Sequence, residues 1–570
     1  MRKPRPTHAD RAESYAKDVV AGRVLACELV KRACKRHLSD LKSQAKRAFP
    51  YRFDPAKTNK VCGFLELLPH VKGQWARDKE RIRLEDWQCF AFGVPFGWLR
   101  KKDGLRRYRR VYIEVPRKNA KSTATAGLGL YMFAADGEAG AEVYSGAGSE
   151  KQAWEVFGPA RLMAKGTPEL RDHFGIEVGA KNLHIMGNAS KFEPIIGKPG
   201  DGASPSFSIT DEYHEHVTEE QYDTMVTGMG SREQPMAWVI TTAGSSIEGP
   251  CYALRSEVVS MLTGTVPNDE LWGLVYTIDE GMDWTTPEAL RMANPNLGVS
   301  VREDYLLAQQ RDAINNPRKQ STFKTKHLNV WVTAASPFFN HEQWVRLGDS
   351  TLKEADFAGQ PCWIGLDLAA KLDLAAVVKV FRRDIERQGV TEPHYYAFGR
   401  FYLPETRAED PAVKHYAEWH KTGALITTMG NVTDYDAIED DLRRDAELFR
   451  IVKVGFDPWG ATQLVAHLMA DGIPCMEVPQ TVKHVSDPMK WVEALIVDGR
   501  LHHQGNPLFG WAMANVTAQE DRNGNVFPRK EHVDKKIDPA VALIMAIGFA
   551  QSEDDGRSVY EGRGIDFVAA

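Results

Sequence analysis

The sequence has little cysteine, no long apolar run and little net charge. Seven cysteines in 570 residues, odd in number and never in Cys-x-x-Cys spacing, exclude a disulfide framework and a zinc knuckle and suit a reducing compartment. The longest apolar run, 539–550, falls well short of the roughly 18 residues that a spanning helix needs. The basic start Met1-Arg-Lys-Pro-Arg is followed by no apolar stretch, so neither a membrane span nor a secretory signal is expected. A formal net charge of −5 gives no global attraction for nucleic acid, so such contact would have to come from local patches. No internal repeat is found. What remains is an ordinary globular composition, 43% hydrophobic and 26% charged, in a chain long enough for more than one domain.

The first fifty or so residues are locally basic, with Arg23, Lys31, Arg32, Lys35, Arg36, Lys42 and Lys46 among them. Apolar positions at near-helical spacing predict two short helices broken near Gly22, either a solvated helical face or a binding arm. Strand candidates then alternate with helices: Arg110–Val115, Ala141–Ser145, Ser206–Thr210 and Ala237–Thr242 predict an α/β domain with a mostly parallel sheet. After a connector at Ala334–Phe338, strands at Cys362–Asp367, Ala375–Phe381, His394–Tyr402 and Val452–Asp457 and an apolar helix from Pro539 predict a second α/β domain. The boundaries read from the sequence are a basic helical arm (1–60), a first α/β core (61–255), a lid or linker (256–340), a second α/β domain (341–552) and an acidic, Gly-containing, disordered tail (553–570).

The segment Val115-Pro-Arg-Lys-Asn-Ala-Lys-Ser-Thr lies between a strand and a helix, where a phosphate loop belongs. Lys121 fits the phosphate-contacting lysine and Ser122 the Mg²⁺-holding hydroxyl, although Val115 and Ala120 occupy the places of the usual glycines. Phe207-Ser-Ile-Thr-Asp-Glu reads as a strand ending in a metal-holding Asp211 and a water-activating Glu212. A third strand ends in Thr241, Thr242, Ala243 and Gly244, small residues able to sense the γ-phosphate and move with it. Upstream, Gln88 is a candidate for reading the adenine edge and Trp87 for a stacking or packing face.

A second constellation is acidic. Asp367 and Asp457 end strands, and Asp538 opens a helix at Pro539. Each has an ordinary alternative, Asp538 as a helix cap and the other two as turn residues. Together they can gather two Mg²⁺ or Mn²⁺ ions for phosphodiester hydrolysis. Asp373 is a further candidate, and Lys530, Lys535 and Lys536 are candidate phosphate-backbone contacts.

Taken in order, Trp87-Gln88, Pro116-Arg-Lys-Asn-Ala-Lys-Ser-Thr, Ile209-Thr-Asp-Glu, Thr241-Thr-Ala-Gly, Gly365-Leu-Asp, Gly455-Phe-Asp-Pro-Trp and Lys536-Ile-Asp-Pro-Ala resemble a large terminase subunit of a tailed bacteriophage. No one motif is specific; the ordered set is. The resemblance implies an α/β chain in which a P-loop ATPase domain of the additional-strand class precedes a ribonuclease H-like nuclease. It implies ATP with Mg²⁺ at Lys118, Asn119, Ala120, Lys121, Ser122, Thr123 and Asp211. It makes Arg117 a γ-phosphate contact or arginine finger, with Arg232 its rival across a ring interface. It also implies double-stranded viral DNA, a portal protein and a small terminase subunit as partners. The working form would be a pentameric homo-oligomeric ring, with a monomer in solution, in the host cytoplasm, docked transiently on the procapsid and absent from the mature virion. Rival readings are a repair or restriction helicase–nuclease, a ribonuclease H-like transposase, and a non-catalytic portal-docking capsid protein.

Overall fold

A computed structural model describes residues 5–552 except 197–201, 248, 333–336, 369–372, 388, 411–412, 459–460, 522–523 and 531–534. Most of the expected connector and the whole acidic tail thus lie outside the described residues. The chain divides into two compact units, Met1–Val332 and Thr333–Ala570. Among the described residues no helix is long and apolar enough to cross a membrane.

The first unit is built on an eight-stranded sheet. Its order is Leu271–Val275, Arg110–Glu114, Met236–Thr241, Phe207–Asp211, Glu142–Ala147, Ser190–Ile196, Leu183–Ile185 and Ile176–Val178. Strands from Leu271–Val275 through Ser190–Ile196 pair in parallel, and the last two turn antiparallel. The central strands are buried throughout, as expected when helices cover both faces. Parallel pairing brings the ends of Arg110–Glu114, Phe207–Asp211 and Met236–Thr241 to one edge, which is where the three strand-tip motifs lie.

The basic N-terminal segment is not a projecting arm. Helices His8–Val20 and Glu28–Ser43, with Gly22 at φ +74° in the break, bury Ala12, Tyr15, Val19, Val30 and Cys34 in the core that the sheet also builds. Arg36 donates to the carbonyls of Leu271 and Asn268 on the sheet edge. Of the basic residues in Arg100–Arg110, Arg106 and Arg107 are spent inside, while Lys101 and Lys102 stay exposed. Arg107, only 1% exposed, holds Asp40 at 2.7 Å and Asp269 at 2.9 Å, and Arg110 holds Glu257 at 2.6 Å. A buried guanidinium has to be paired, so the charge of Arg107 stabilises the fold and is not offered to a polyanion. A separate small core of Trp284, Leu290, Val301, Leu306, Phe323 and neighbours holds helices Pro287–Ala293, Glu303–Asn315 and Pro317–His327 together.

The second unit carries a seven-stranded mixed sheet. Pro361–Asp367 pairs antiparallel with Ala375–Arg387, which pairs antiparallel with Val390–Pro404. On its other side Pro361–Asp367 pairs in parallel with Arg450–Phe456. Helix Asp538–Ser552 is apolar almost all round, and residues from Pro539 to Ile547 are buried. Two glycines that face each other in the ladder, Gly365 and Gly455, make room for it. A Cβ on Gly365 would sit 1.8 Å from the Ala542 carbonyl oxygen, and one on Gly455 would sit 2.3 Å from the Phe549 ring. Each glycine is followed two residues later by an aspartate, Asp367 and Asp457. Because side chains alternate along a strand, Gly365 and Asp367 share the face on which the helix lies.

Gly365→Ala should therefore cost about 3 kcal/mol or more through overpacking. Denaturant unfolding of the full chain checks this; an unchanged midpoint for the second unit would contradict the close approach.

Candidate active sites

The phosphate loop folds without its usual glycines. Lys118 and Ala120 adopt φ +71° and +60°, the left-handed conformation that glycine normally supplies, and helix Lys121–Ala134 starts immediately after. A non-glycine residue there costs roughly 1–2 kcal/mol. Asn119 offsets that cost. Its fully buried amide donates to Asn294 Oδ1 at 2.9 Å and to the Pro116 carbonyl at 3.1 Å, and accepts from the Asn296 backbone N–H at 3.0 Å. The network continues from Asn296 Oδ1 to the Trp87 indole N–H at 2.8 Å, and from Ser300 Oγ to the Lys118 carbonyl at 2.6 Å.

Three residues expected to touch nucleotide also make contacts within the protein. Asn119 clamps the loop from below, because its amide is saturated by protein partners. Trp87 is 3% exposed and packs on Tyr276, forming part of the wall of a cleft of about 540 Å³ with Tyr15 and Asn294. Gln88 accepts from the Glu85 backbone N–H and closes a helix cap. A second cleft, of about 480 Å³, is lined by Arg117, Lys118, Tyr305 and His327.

Lys121, Ser122, Asp211 and Glu212 are brought together. Lys121 Nζ lies 3.1 Å from Glu212 Oε1, and Ser122 Oγ donates to Asp211 Oδ2 at 3.5 Å. Burial, followed by the charge of Glu212, pushes Asp211 up to about 7 against the pull of Lys121. Glu212 moves the other way: burial opposes its charge, but the cations Lys121 and Arg117 outweigh it and hold the pKa below the usual value. Two adjacent acids pushed apart in this way suit a cation-holding and a water-facing role. Glu212 also sits at φ +49°, strain that persists only where surrounding contacts enforce it.

Arg117 is exposed at this site, and its backbone N–H donates to the Lys326 carbonyl at 3.0 Å. Arg232 is elsewhere. It binds the Ser204 carbonyl at 2.8 Å and Glu138 and Glu142 at 3.3 Å, at the start of strand Glu142–Ala147, the edge of the sheet opposite the phosphate loop. It is no finger for its own chain's site, because those carboxylates and the strand length hold it away.

The tip Thr241–Gly244 touches residues that sequence reasoning missed. The Thr241 hydroxyl accepts from the His214 backbone N–H at 3.1 Å and donates to the Thr242 carbonyl at 2.9 Å. The Ala243 N–H donates to Asn329 Oδ1 at 2.6 Å, and Asn329 Nδ2 donates to the buried Glu114 at 3.1 Å. A Cβ on Gly244 would lie 3.0 Å from His214, so the tip needs glycine to pack there. Burial and the charge of Lys326 push His214 down to about 3, so it is neutral. The only sequence signal for Glu114 was a charged residue inside an apolar strand; Asn329 and His214 gave none.

In the second unit, Asp367, Asp373, Asp457 and Asp538 act on one another electrostatically. Burial, then Asp538, Asp457 and Asp373, push Asp367 well above the carboxylate range, with Lys530 opposing. Burial and Asp373 push Asp538 up to about 6. Such mutual repulsion in a buried site fits a donor set for hard divalent cations. Among the described residues no three Asp, Glu, His or Cys side chains are yet grouped closely enough to hold a metal ion. Lys536 Nζ instead sits 2.7 Å from Asp373. The expected DNA-contacting lysines are corrected accordingly: Lys535 is 2% exposed and Lys536 faces Asp373, drawn in by the acids, while Lys530, at the end of the hairpin Val516–Glu520/Val526–Lys530, stays exposed.

Fold and sites define an ATP-hydrolysing P-loop unit and a ribonuclease H-like nuclease unit in one chain. Residues 86–259 match the family described as terminase large subunit, ATPase domain, and residues 265–554 match terminase large subunit, endonuclease domain. The chain belongs to the terminase large subunits, and is an ATPase and an endonuclease of phage DNA packaging. It is 43% identical over 381 residues to Protein YmfN of Escherichia coli strain K12, covering 65% of this chain and 83% of that protein. It is 26% identical over 451 residues to the terminase large subunit of Enterobacteria phage HK97, covering 77% and 86% respectively. The crystal structure of the HK97 large terminase aligns with 24% identity and a TM-score of 0.43, over 86% of this chain and 99% of that one.

Asn119→Ala should strand the Asn296 backbone N–H and the Asn294 side-chain Oδ1, at about 1–3 kcal/mol for each buried orphan. Thermal unfolding should show the loss, and affinity for an ATP analogue should fall with it. Full analogue affinity in a destabilised variant would show that the clamp does not shape the loop.

Proposed function

We propose that this protein couples ATP hydrolysis to translocation of double-stranded viral DNA into a procapsid and cuts concatemeric DNA by two-metal hydrolysis. The observation that carries the ATPase half is the convergence of Lys121, Ser122, Asp211 and Glu212 at one sheet edge. Lys121 leaves Glu212 for the terminal phosphates of ATP, Ser122 and Asp211 hold Mg²⁺, and Glu212 orients the attacking water. Arg117 contacts the γ-phosphate from within the same chain. Loss of that phosphate is felt at Thr241–Gly244, whose strand tip is bonded to His214 and Asn329, and the packed elements around it move as a switch.

In the nuclease, Asp367, Asp457 and Asp538, with Asp373 beside them, hold two Mg²⁺ or Mn²⁺ ions. Divalent cations held by these carboxylates would polarise the phosphodiester and stabilise the leaving oxygen. Lys536 gives up Asp373 as the site fills. The sequence boundaries are widened accordingly: the N-terminal helices and strand Leu271–Val275 share the ATPase core and sheet, so we assign the ATPase, with its small three-helix segment, to Met1–Val332 and the nuclease to the unit that begins at Thr333, in place of 61–255, 256–340 and 341–552. The working form is a homo-oligomeric ring, taken as pentameric, on the portal protein in the host cytoplasm, with a small terminase subunit supplying site recognition. The family membership supports these partners in general.

Glu212→Gln should lower ATP turnover by at least about 100-fold, the scale of general-base catalysis, while nucleotide still binds. Retained turnover rejects the assignment. Asp367→Ala should lower DNA cleavage at least about 100-fold, since loss of even an outer metal partner costs about 10–100-fold, and should spare the ATPase. A parallel fall of both activities in a folded variant would contradict two separate sites.

A further inference from the structure

The helix Pro317–His327 belongs to the small, separately packed core described above, yet its end reaches the phosphate site. The Lys326 carbonyl accepts the Arg117 backbone N–H at 3.0 Å, and Lys326 Nζ lies 3.1 Å from His214 Nε2. An ammonium can only donate, so Nε2 accepts and the ring proton sits on Nδ1. Nδ1 is hydrogen-bonded to Thr241 Oγ1 at 3.1 Å, and Glu212 Oε2, a buried oxygen without a hydrogen-bond partner, lies 3.3 Å from it. Thr241 has already given its hydrogen to the Thr242 carbonyl, so it is open as an acceptor. The His214 side chain is 4% exposed and enclosed by these groups.

We propose that Lys326 is a positioning residue for ATP hydrolysis: by donating to His214 Nε2 it fixes the ring proton on Nδ1, which holds the ring to Thr241 and presents that proton beside the unbonded Glu212 Oε2, so that Glu212 is aligned only while this helix is docked on the phosphate loop. The ammonium lies among Arg117, Lys121, Glu212 and Glu215, whose charges all act on it. Arrival or loss of a polyphosphate changes that balance directly. The three-helix segment then senses nucleotide through a side chain, and the coupling tip receives the same signal through Thr241. This inference rests on Glu212 being the residue that orients the water.

The test uses the full-length chain, with steady-state ATP hydrolysis and binding of a non-hydrolysable ATP analogue measured side by side. Lys326→Met and His214→Ala should each lower kcat about 10–100-fold, as loss of an outer-shell partner does, and leave analogue affinity within about twofold. Lys326→Arg should restore most of the rate. His214→Gln, which offers an acceptor near the Nε2 position, should exceed His214→Asn, which offers none there. The double variant Lys326→Met/His214→Ala should be no slower than the worse single one, since both act through one chain of contacts. Unchanged kcat in Lys326→Met, multiplicative losses in the double variant, or weakened analogue binding at normal kcat would each overturn the proposal. If Lys326→Met does not fold, Lys326→Arg against His214→Asn decides. Glu212→Gln separates the two levels: an active Glu212→Gln defeats the underlying assignment, whereas an inactive one beside a normal Lys326→Met defeats only the positioning role.

Discussion

The ATPase unit depends on one buried amide. Asn119 holds a loop whose backbone turns left-handed at Lys118 and Ala120, where side chains oppose that conformation. Glycine would adopt it freely but would also leave it freely. Here the shape is imposed from behind, by hydrogen bonds that a buried amide cannot leave unmade. Because those bonds run to Asn294 and Asn296, the loop's shape is shared with the small helical core, and the two are mechanically one piece.

Both sites use the same arrangement of charge. Acids stand where strands end, in surroundings too dry to tolerate them singly, and lysines answer them until substrate or cation takes over. Lys121 rests on Glu212, and Lys536 rests on Asp373. A resting ion pair of this kind holds geometry in place without committing the acid, because the lysine can be displaced by something more strongly attracted.

Much of this was legible in the sequence, because strands announce themselves by local pattern and their ends carry the chemistry. The strand candidates ending at Glu114, Asp211 and Thr241, their mostly parallel pairing and the acids at the nuclease strand ends follow from local pattern; the order of the strands in the sheet and the facing of Gly365 with Gly455 do not. The sequence could not show which charges are turned inward. Lys535 and Lys536 look like polyanion contacts until the burial of the first and the Asp373 partner of the second are known. Nor could it show the side-chain partners of the phosphate loop. Asn119 meets Asn294, and His214 meets Lys326, across more than a hundred residues of chain, and no local pattern encodes such a pairing.

The glycines opposite each other in the nuclease sheet have a further consequence. The helix bearing Asp538 is seated by main chain against main chain at Gly365 and Ala542, so the gap between Asp367 and Asp538 is not adjustable by exchanging one side chain for another. That interval is withdrawn from ordinary variation. Divergence in where and how such an enzyme cuts is left to the periphery, to surfaces such as the hairpin ending at Lys530, which can change without disturbing the spacing of the acids.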